Sequence, residues 1–287
     1  MPELPEVEVV KRSLEKNIKN LLIKKVTINN NKLRYKVHKK KFTKINNRKI
    51  ISIKRISKYL IFNLNNNISI LSHLGMTGKF FIINKNKRFK TSFYYNLSKK
   101  DKKHNHIIFF LNKKIKLIYN DVRRFGFIKI FKTSELMQSS HLRILGPEPL
   151  SKKFNFEYLK ELLIDKKSSI KNILMNQNFV AGLGNIYVNE ILFKSSVNPE
   201  KFAGKIKDFE IKKIINNSKK IIKKSILKGG SSIKDFNSVN GEKGNFQQLF
   251  SVYARNGRKC LKWRCVGIIK KKNISNRATF YCERCQK

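Results

Sequence analysis

Short segments rich in β-branched and aromatic residues follow one another between residues 50 and 131, and they constrain the fold more than any other feature of the sequence. The segments are Ile50–Ile56, Tyr59–Leu64, Ile68–Leu74, Lys79–Ile83, Ile107–Leu111, Ile115–Tyr119 and Phe127–Phe131. Breaks such as Asn65–Asn67 separate neighbouring segments, and Asn tolerates the positive φ of tight turns. Several short strands at this spacing predict an antiparallel β-sandwich. The polar stretch Lys85–Asn105 is predicted to be a long loop.

Helical patterns lie on both sides of these strands. Near the N-terminus Val7 and Val10 recur at helical spacing and Pro5 suits the first helical position, so residues 5–17 are predicted to form a helix. The segment Gly146–Pro149 interrupts the chain, and helical patterns follow it. These later helices are predicted at Phe156–Ile164, Ser168–Gln177, Ile186–Phe193 and Ile206–Leu227. The sequence therefore predicts an α+β protein.

The charge balance indicates a polyanionic partner. The chain has 65 Lys and Arg against 18 Asp and Glu, a net charge of +47 over 287 residues. Such a surface attracts nucleic acids and binds them through counterion release. Lysines far outnumber arginines and Asn and Ile are abundant, which also fits a compositional bias. On charge alone a ribosomal protein, a nuclease, a repair enzyme and an architectural protein all remain open.

Composition excludes two other classes of protein. With 40% hydrophobic and 11% aromatic residues the chain can build a core, so it is not a disordered basic tail. No stretch approaches the roughly 18 uncharged apolar residues of a membrane span. The start, Met1–Glu6, is acidic and lacks the basic and apolar regions of a secretory signal. We therefore expect a cytoplasmic protein with no membrane partner.

Four cysteines stand in two close pairs near the C-terminus. Cys260 and Cys265 form one pair, and Cys282 and Cys285 form the other. Paired thiolates at this spacing match a tetrahedral zinc site, and a hairpin between the pairs would bring them together. Four protein ligands leave no position for a substrate, so one structural Zn²⁺ is expected. The alternative is four unrelated buried thiols.

The N-terminal residues offer a reactive group. Removal of Met1 would expose the secondary amine of Pro2, which can attack an aldehyde or a sugar C1′ and form an iminium. Glu3 beside it could act as a general acid. Alternatively, Met1 and Pro2 are an ordinary start and Glu3 only caps the helix. These residues alone favour that second interpretation.

A set of motifs spanning the chain in order resembles the bacterial formamidopyrimidine-DNA glycosylases. The motifs are Met1–Glu8, Ser57–Leu60, His73–Gly78, Asp121–Gly126, Leu145–Leu150, Gly182–Tyr187 and Arg277–Lys287. The resemblance implies an N-terminal β-sandwich flanked by helices, a helix–two-turn–helix domain and a C-terminal zinc β-hairpin. The expected domains are residues 1–133, 134–250 and 251–287. It further implies a monomer whose partner is double-stranded DNA, bound in the cleft between the two halves.

The resemblance implies a bifunctional glycosylase and apurinic-site lyase of base excision repair. Oxidised purines such as 8-oxoguanine and formamidopyrimidines would be flipped out of the duplex and removed. Pro2 would displace the base and form a Schiff base, while Glu3 protonates the sugar oxygen. Lys58 matches the β-elimination position and Arg277 the δ-elimination position. The strand would be cut, leaving a gap with phosphates at both ends.

Further positions match DNA-contacting residues of that family. Met76, Arg123 and Phe125 would fill the space left by the flipped base, with Arg123 bonding to the orphaned partner base. The other matching positions are His104, Lys166, Lys171 and Asn185. Out of context, Met76 and Phe125 would be read as core residues and His104 as a loop histidine.

Two departures from the family pattern and three alternatives stand beside this assignment. Val122 replaces an expected proline before Arg123, and the filling between Cys260 and Cys265 is unusual. Lesion contacts in the loop after Gly241 are not fixed by the sequence. The alternatives are an endonuclease-VIII-type enzyme for oxidised pyrimidines, a DNA-binding protein that has lost catalysis, and a basic ribosome-associated protein.

Overall fold

The computed structural model describes residues 1–84, 87–91, 99–231 and 246–287. The chain divides into two compact units. The first contains Met1–Arg143 and Gly229–Asn245, of which residues 229–231 are described, and the second contains Ile144–Lys228 and Phe246–Lys287. The division at residues 133 and 250 stays a prediction. Across the described ranges, no helix combines the length and apolar character that crossing a membrane requires.

The first unit is built on nine antiparallel strands. They are β1 (Leu22–Ile28), β2 (Arg48–Ile56), β3 (Tyr59–Leu64), β4 (Ile68–His73), β5 (Gly78–Asn84), β6 (Lys87–Lys90), β7 (Asn105–Leu111), β8 (Lys116–Asp121) and β9 (Phe127–Lys132). The helices of this unit are α1 (Leu4–Ile18), α2 (Lys39–Thr43) and α3 (Thr133–Leu136), with a 3₁₀ helix at Lys99–His104. The strand order is β6-β5-β8-β7-β1-β2-β3-β4-β9.

The sheet folds over on itself to enclose a core. Four strands separate β3 from β5 in the sheet, yet the rings of Phe62 on β3 and Phe80 on β5 have centroids only 5.5 Å apart. Contact between such distant strands requires the two halves of the sheet to face each other, as in a sandwich. Val7, Val10 and Leu14 of α1 join the same core. The predicted sandwich and its N-terminal helix are confirmed.

Two regions of the first unit differ from the sequence-based expectations. β1 was not among the predicted strands, because Lys24 and Lys25 interrupt its apolar pattern. The expected long loop at Lys85–Asn105 is wrong in part, since it contains β6 and the 3₁₀ helix. β6 pairs with β5 at the sheet edge, and tertiary pairing overrides its polar sequence. Residues 85–86 and 92–98 of that segment lie outside the described residues.

The second unit combines helices with a C-terminal hairpin. Its elements are α4 (Phe156–Leu163), α5 (Ile170–Met175), α6 (Asn185–Ser195), α7 (Asp208–Leu227), β10 (Ile269–Ile274) and β11 (Arg277–Cys282), with 3₁₀ helices at Ala203–Lys205 and Phe246–Leu249. α6 is buried along almost its whole length and forms the centre of the unit. Ser275 and Asn276 connect the two strands with positive φ at both positions, the geometry of a tight hairpin turn. The helical region and the hairpin are confirmed.

Candidate active site and four-cysteine cluster

Pro2 and Glu3 are buried at the start of α1. Glu3 is the N-cap, and its carboxylate accepts a bond from the backbone N–H of Glu6, while Glu6 Oε2 accepts the Glu3 N–H at 2.9 Å. This reciprocal pair is a capping box, which satisfies two helix N–H groups at once. The residues expected to carry the chemistry are therefore held by the first turn of a helix.

Glu6 also ties the N-terminus to the segment at Gly230 and Ser231. Its Oε1 accepts the Ser231 N–H at 2.8 Å and the Ser231 hydroxyl at 2.9 Å. Gly230 has φ +81, and a Cβ at this position would lie 3.1 Å from Glu6 Oε1. Neither Glu6 nor Ser231 was among the predicted site residues. The Glu3–Glu6 spacing signals a capping box, but nothing local signals a partner 225 residues away.

Lys58 lies in the tight turn between β2 and β3 and is only 5% exposed. Arg55 holds this turn by donating from Nη1 to the Ser57 carbonyl at 2.9 Å. The Arg55 Nε also contacts Glu8 Oε2 of α1 at 2.9 Å. Burial raises the pKa of Glu8, but bonds and charges from Arg55 and Arg12 outweigh it and hold that pKa below its usual value. Glu8 thus stays ionised and links the turn of Lys58 to the helix that starts at Glu3.

Met76, Arg123 and Phe125 come together on two neighbouring loops. Arg123 Nη1 lies 3.1 Å from Met76 Sδ, and the Arg123 guanidinium lies 4.5 Å from the centroid of the Phe125 ring. Met76 is 41% exposed and Phe125 47% exposed, so both apolar side chains face solvent rather than the core. With Met1 they line a pocket of about 490 Å³. The core interpretation of Met76 and Phe125 does not hold.

Asp121 fixes the backbone of these loops. Its Oδ2 accepts the Gly126 N–H at 2.8 Å, and its Oδ1 accepts the Thr77 hydroxyl. The Thr77 oxygen in turn accepts the Arg123 N–H at 3.0 Å. Because Thr77 holds the Arg123 backbone, Val122 in place of proline does not leave this loop without support.

His73 lies behind the same loops at the end of β4. Its Nδ1 accepts the Gly75 N–H at 3.1 Å, and its ring stacks on Phe127 with centroids 5.8 Å apart. Burial, followed by the charges of Lys58, Arg34 and His141, lowers the pKa of His73 to about 4. His73 is therefore neutral at physiological pH, as an acceptor at Nδ1 must be.

The predicted contact residue His104 is the last residue of the 3₁₀ helix in the first unit. The centroid of its ring lies 6.4 Å from the centroid of the His106 ring.

In the second unit, Lys171 and Asn185 converge on the start of β11. Lys171 is fully buried, and its Nζ donates to Thr279 Oγ1 at 2.6 Å. Burial and the neighbouring charge of Arg277 lower the pKa of Lys171 to about 8. Asn185 Nδ2 donates to the Ala278 carbonyl at 2.8 Å. These two side chains hold the strand from which Arg277 projects, exposed, into solvent.

Lys166 stands apart from this group. It follows α4, it is exposed, and within the part of the chain that the structure describes its side chain makes no hydrogen bond or ion pair.

Asn189 and Glu190 of α6 hold the backbone of neighbouring segments, and neither was among the predicted site residues. Asn189 Oδ1 accepts the Phe280 N–H at 2.7 Å, and Glu190 accepts three backbone N–H groups from residues 251–253.

The four cysteines form one cluster. The Sγ atoms of Cys260 and Cys285 are 3.7 Å apart, as are those of Cys265 and Cys282, and all four lie within 4.8 Å of one another. A disulfide would place two sulfurs at about 2.05 Å, so these are free thiols gathered around a common centre. Such a cluster could hold a metal ion. The alternative of four unrelated thiols is wrong.

Two family models match the chain. Residues 1–128 match the formamidopyrimidine-DNA glycosylase N-terminal domain, and residues 145–237 match the formamidopyrimidine-DNA glycosylase H2TH domain. A formamidopyrimidine-DNA glycosylase of Rickettsia bellii is 43% identical over 287 residues, covering 100% of both chains.

Solved structures agree with these matches. A mutant Lactococcus lactis enzyme of the same name, in complex with DNA containing Fapy-dG, is 31% identical with a TM-score of 0.87, covering 100% of both chains. The wild-type Lactococcus lactis enzyme, in complex with DNA containing an oxidised pyrimidine, is 31% identical with a TM-score of 0.86 at the same coverage.

The sandwich, the helix–two-turn–helix region and the four-cysteine hairpin together define a DNA-repair glycosylase, an enzyme that acts on damaged bases. The chain belongs to the formamidopyrimidine-DNA glycosylase family.

Proposed function

We propose that this enzyme removes oxidised purines, including 8-oxoguanine and formamidopyrimidines, from double-stranded DNA and then cuts the strand by β,δ-elimination. Membership of the family supports a glycosylase for damaged bases, and the Lactococcus relative bound to Fapy-dG DNA supports a purine substrate. The Lactococcus relative bound to an oxidised pyrimidine keeps the alternative base class as an outcome to be tested.

The observation that carries the proposal is the fixation of the N-terminal residues. Glu3 is 3% exposed and Glu6 is 2% exposed, and Glu6 accepts bonds from both Glu3 and Ser231. An ordinary chain start is solvated and poorly ordered. Holding Pro2 and Glu3 in one geometry is what a nucleophile and its general acid require, since misplacement by about 1 Å can cost about 100-fold in rate.

The glycosylase step would begin after removal of Met1. The lone pair of the Pro2 nitrogen attacks C1′ of the flipped nucleotide, and the bond between C1′ and the base breaks with its electrons leaving on the base. Glu3 donates a proton to O4′ as the sugar ring opens. The Pro2 nitrogen, which became an ammonium on attack, loses its N–H proton to the departing base, and the lone pair regained in this way forms the C1′ iminium, a positively charged Schiff base, as O4′ leaves.

The iminium makes the later eliminations possible because it accepts the electrons released at C2′. Loss of a C2′ proton expels the 3′ phosphate (β-elimination), and a second proton loss expels the 5′ phosphate (δ-elimination). We assign Lys58 to the first step and Arg277 to the second, as cations that stabilise the departing phosphates. Hydrolysis of the iminium finally restores the Pro2 amine.

The remaining predicted residues would hold the DNA. The exposed trio Met76, Arg123 and Phe125 suits the space that a flipped base leaves, since a flat ring and a thioether can enter a base step. Lys171 and Asn185 would act partly through β11, which both of them bind. His104 and Lys166 are proposed as phosphate contacts.

We propose Zn²⁺ as the ion of the four-cysteine cluster. Zinc–thiolate bonds of about 2.3 Å in a tetrahedron give sulfur–sulfur edges of about 3.8 Å. The observed 3.7 Å between Cys260 and Cys285, and between Cys265 and Cys282, fits that shape. Four ligands leave the ion closed, so its role would be to hold the hairpin that carries Arg277. We further propose that the enzyme works as a monomer on the bacterial chromosome in the cytoplasm.

Single-turnover cleavage of matched duplexes tests the proposal. One strand carries 8-oxoguanine, thymine glycol or an undamaged base. The 8-oxoguanine strand should be cut fastest, leaving phosphates on both new ends, and Glu3→Gln should slow base loss about 100-fold. Glu15→Gln on the solvent side of α1 is the matched control and should cut normally. Preference for thymine glycol would overturn the purine assignment, and binding without cleavage would leave only a DNA-binding protein.

A further inference from the structure

A second cationic pocket lies in the first unit between the β1–α2 connection, β9 and the chain after α3. It has a volume of about 450 Å³. Lys129 of β9 and His141 line it together with Tyr35, Lys36, Lys41 and Ser139. None of the catalytic or DNA-contacting residues assigned above lines it. Its volume falls in the range of about 300–1,000 Å³ typical of small-molecule sites.

Lys129 is held at a fixed position in this pocket. Its Nζ lies 2.8 Å from His141 Nε2 and 3.6 Å from the centroid of the Tyr35 ring. Burial, followed by the charge of Lys129, lowers the pKa of His141, so the imidazole is neutral and Nε2 accepts the bond from the ammonium. One N–H of Lys129 therefore points to His141 and another to the ring face, which leaves the third for a ligand.

The pocket has positive charge without compensation. Among the described residues that line it there is no Asp or Glu. Burial, followed by the charges of Arg34 and Lys41, lowers the pKa of Lys129. The positive charge of Lys129 is therefore opposed by burial and by two nearby cations. An anion would accept the remaining N–H of Lys129 and offset the positive charge of this lining.

We propose that this pocket binds a phosphate ester of about nucleotide size. Lys129 donates to the phosphate from a fixed position, and Lys36 and Lys41 add charge from the rim. Hydrogen bonds between a cation and a phosphate are the strong ones in proteins. Tyr35 offers an aromatic face to the rest of the ligand. The ester could be a free nucleotide or a nucleotide of a DNA strand, and the two sources are separable by experiment.

Histidine NMR gives a readout confined to this pocket. The chain has five histidines, of which His38 and His141 line the pocket while His106 is 1% exposed in the sheet. Ring-labelled full-length protein is titrated with sodium phosphate and with 5′-dGMP against sodium chloride at constant ionic strength. The His38 and His141 signals should shift and saturate, those of His106 should not, and deoxyguanosine without phosphate should have no effect.

Matched variants distinguish binding in the pocket from non-specific attraction to the protein's net charge. Lys129→Met should weaken binding about tenfold, the value of one charged hydrogen bond. Lys54→Met removes the same charge from an exposed position on β2 and should leave binding unchanged. Lys41→Met removes one exposed rim charge and should weaken binding by a smaller factor than Lys129→Met. It keeps the test valid if Lys129→Met does not fold. Equal binding by the Lys129 and Lys54 variants, or no saturation at His141, would overturn the proposal.

A parallel experiment with DNA identifies the source of the phosphate. If DNA supplies it, Lys129→Met weakens binding of a long undamaged duplex more than that of a short one, and it weakens 5′-dGMP binding as well. If a free nucleotide is the ligand, only 5′-dGMP binding changes. Base excision on the short duplex should continue in Lys129→Met in both cases, so loss of this site is distinguishable from failure of the proposed catalytic function.

Discussion

Replacing Glu6 by Gln tests whether the N-terminus is held by a buried carboxylate. Within the described part of the chain, three groups donate to the carboxylate at 2.8–2.9 Å, namely Glu3 N, Ser231 N and Ser231 Oγ. An amide has one acceptor oxygen. If that oxygen faces Ser231, the amide NH₂ faces the N–H of Glu3 and neither group is satisfied. Hydrogen bonds to charged groups are worth about 1.5–3 kcal/mol, so Glu6→Gln should lower the free energy of unfolding by about 2–3 kcal/mol.

The effect on base excision should exceed the effect of the lost stability. Glu3 loses its fixed backbone, so single-turnover excision at saturating enzyme and a temperature where both proteins are folded should fall about 10- to 100-fold. Ser231→Ala removes one of the three bonds and should cost about 1 kcal/mol.

Glu15→Gln on the same helix is the charge-matched control. It breaks the partly exposed pair with Lys11 and should cost about 0.5 kcal/mol or less. Guanidinium denaturation and excision are measured on all four proteins. If Glu6→Gln behaves like Glu15→Gln in both assays, the N-terminus is not held by this carboxylate.

Three further outcomes follow from the geometry. The pKa of His73 is about 4 in the folded protein against 6.5 in the unfolded chain, so the unfolded chain binds more protons below pH 6.5. Acidification from pH 7 to pH 5 should therefore lower the free energy of unfolding by about 1–2 kcal/mol. In His73→Phe, denaturation measured at the two pH values should show that much less dependence on pH. A Cβ on Gly126 would lie 2.0 Å from the Tyr119 hydroxyl, so Gly126→Ala should lower the melting temperature well below that of Gly257→Ala, which meets no atom within 4 Å and costs only the strain of its φ of +77. Chelation should release one zinc per chain, measured with a colorimetric indicator, and abolish strand cleavage; cleavage that persists without the metal would contradict the structural role.

Local patterns in the sequence were enough for most of the fold. The strands at Tyr59–Leu64 and Ile68–His73 and the helix at Leu4–Ile18 each bury a regular set of side chains, which leaves a periodic trace. The four-cysteine cluster was equally readable because its members stand in two close pairs in the sequence. β1 and β6 were not readable, since pairing with neighbouring strands, rather than their own composition, makes them strands.

The predicted catalytic and contact residues were named through family resemblance, and the groups that hold them were found only in the structure. Glu6 meets Ser231 across 225 residues, and Thr77 meets Asp121 across 44. Contacts at such separations leave no periodic or spacing signal in a single sequence. Lys171 shows the same limit. Its DNA contact stays a prediction, and its bond to Thr279, 108 residues away, was found only in the structure.

Borohydride trapping, followed by peptide mapping, shows whether the Pro2 nitrogen is the nucleophile. Mature enzyme is mixed with an 8-oxoguanine duplex and sodium borohydride, which reduces an iminium to a stable amine. If Pro2 forms the Schiff base, a covalent DNA adduct appears whose only modified residue is Pro2. A short N-terminal extension, which converts the Pro2 nitrogen to an amide, should abolish the adduct, while the same extension at the C-terminus should not. No adduct, or an adduct on a lysine that survives the N-terminal extension, would contradict the account.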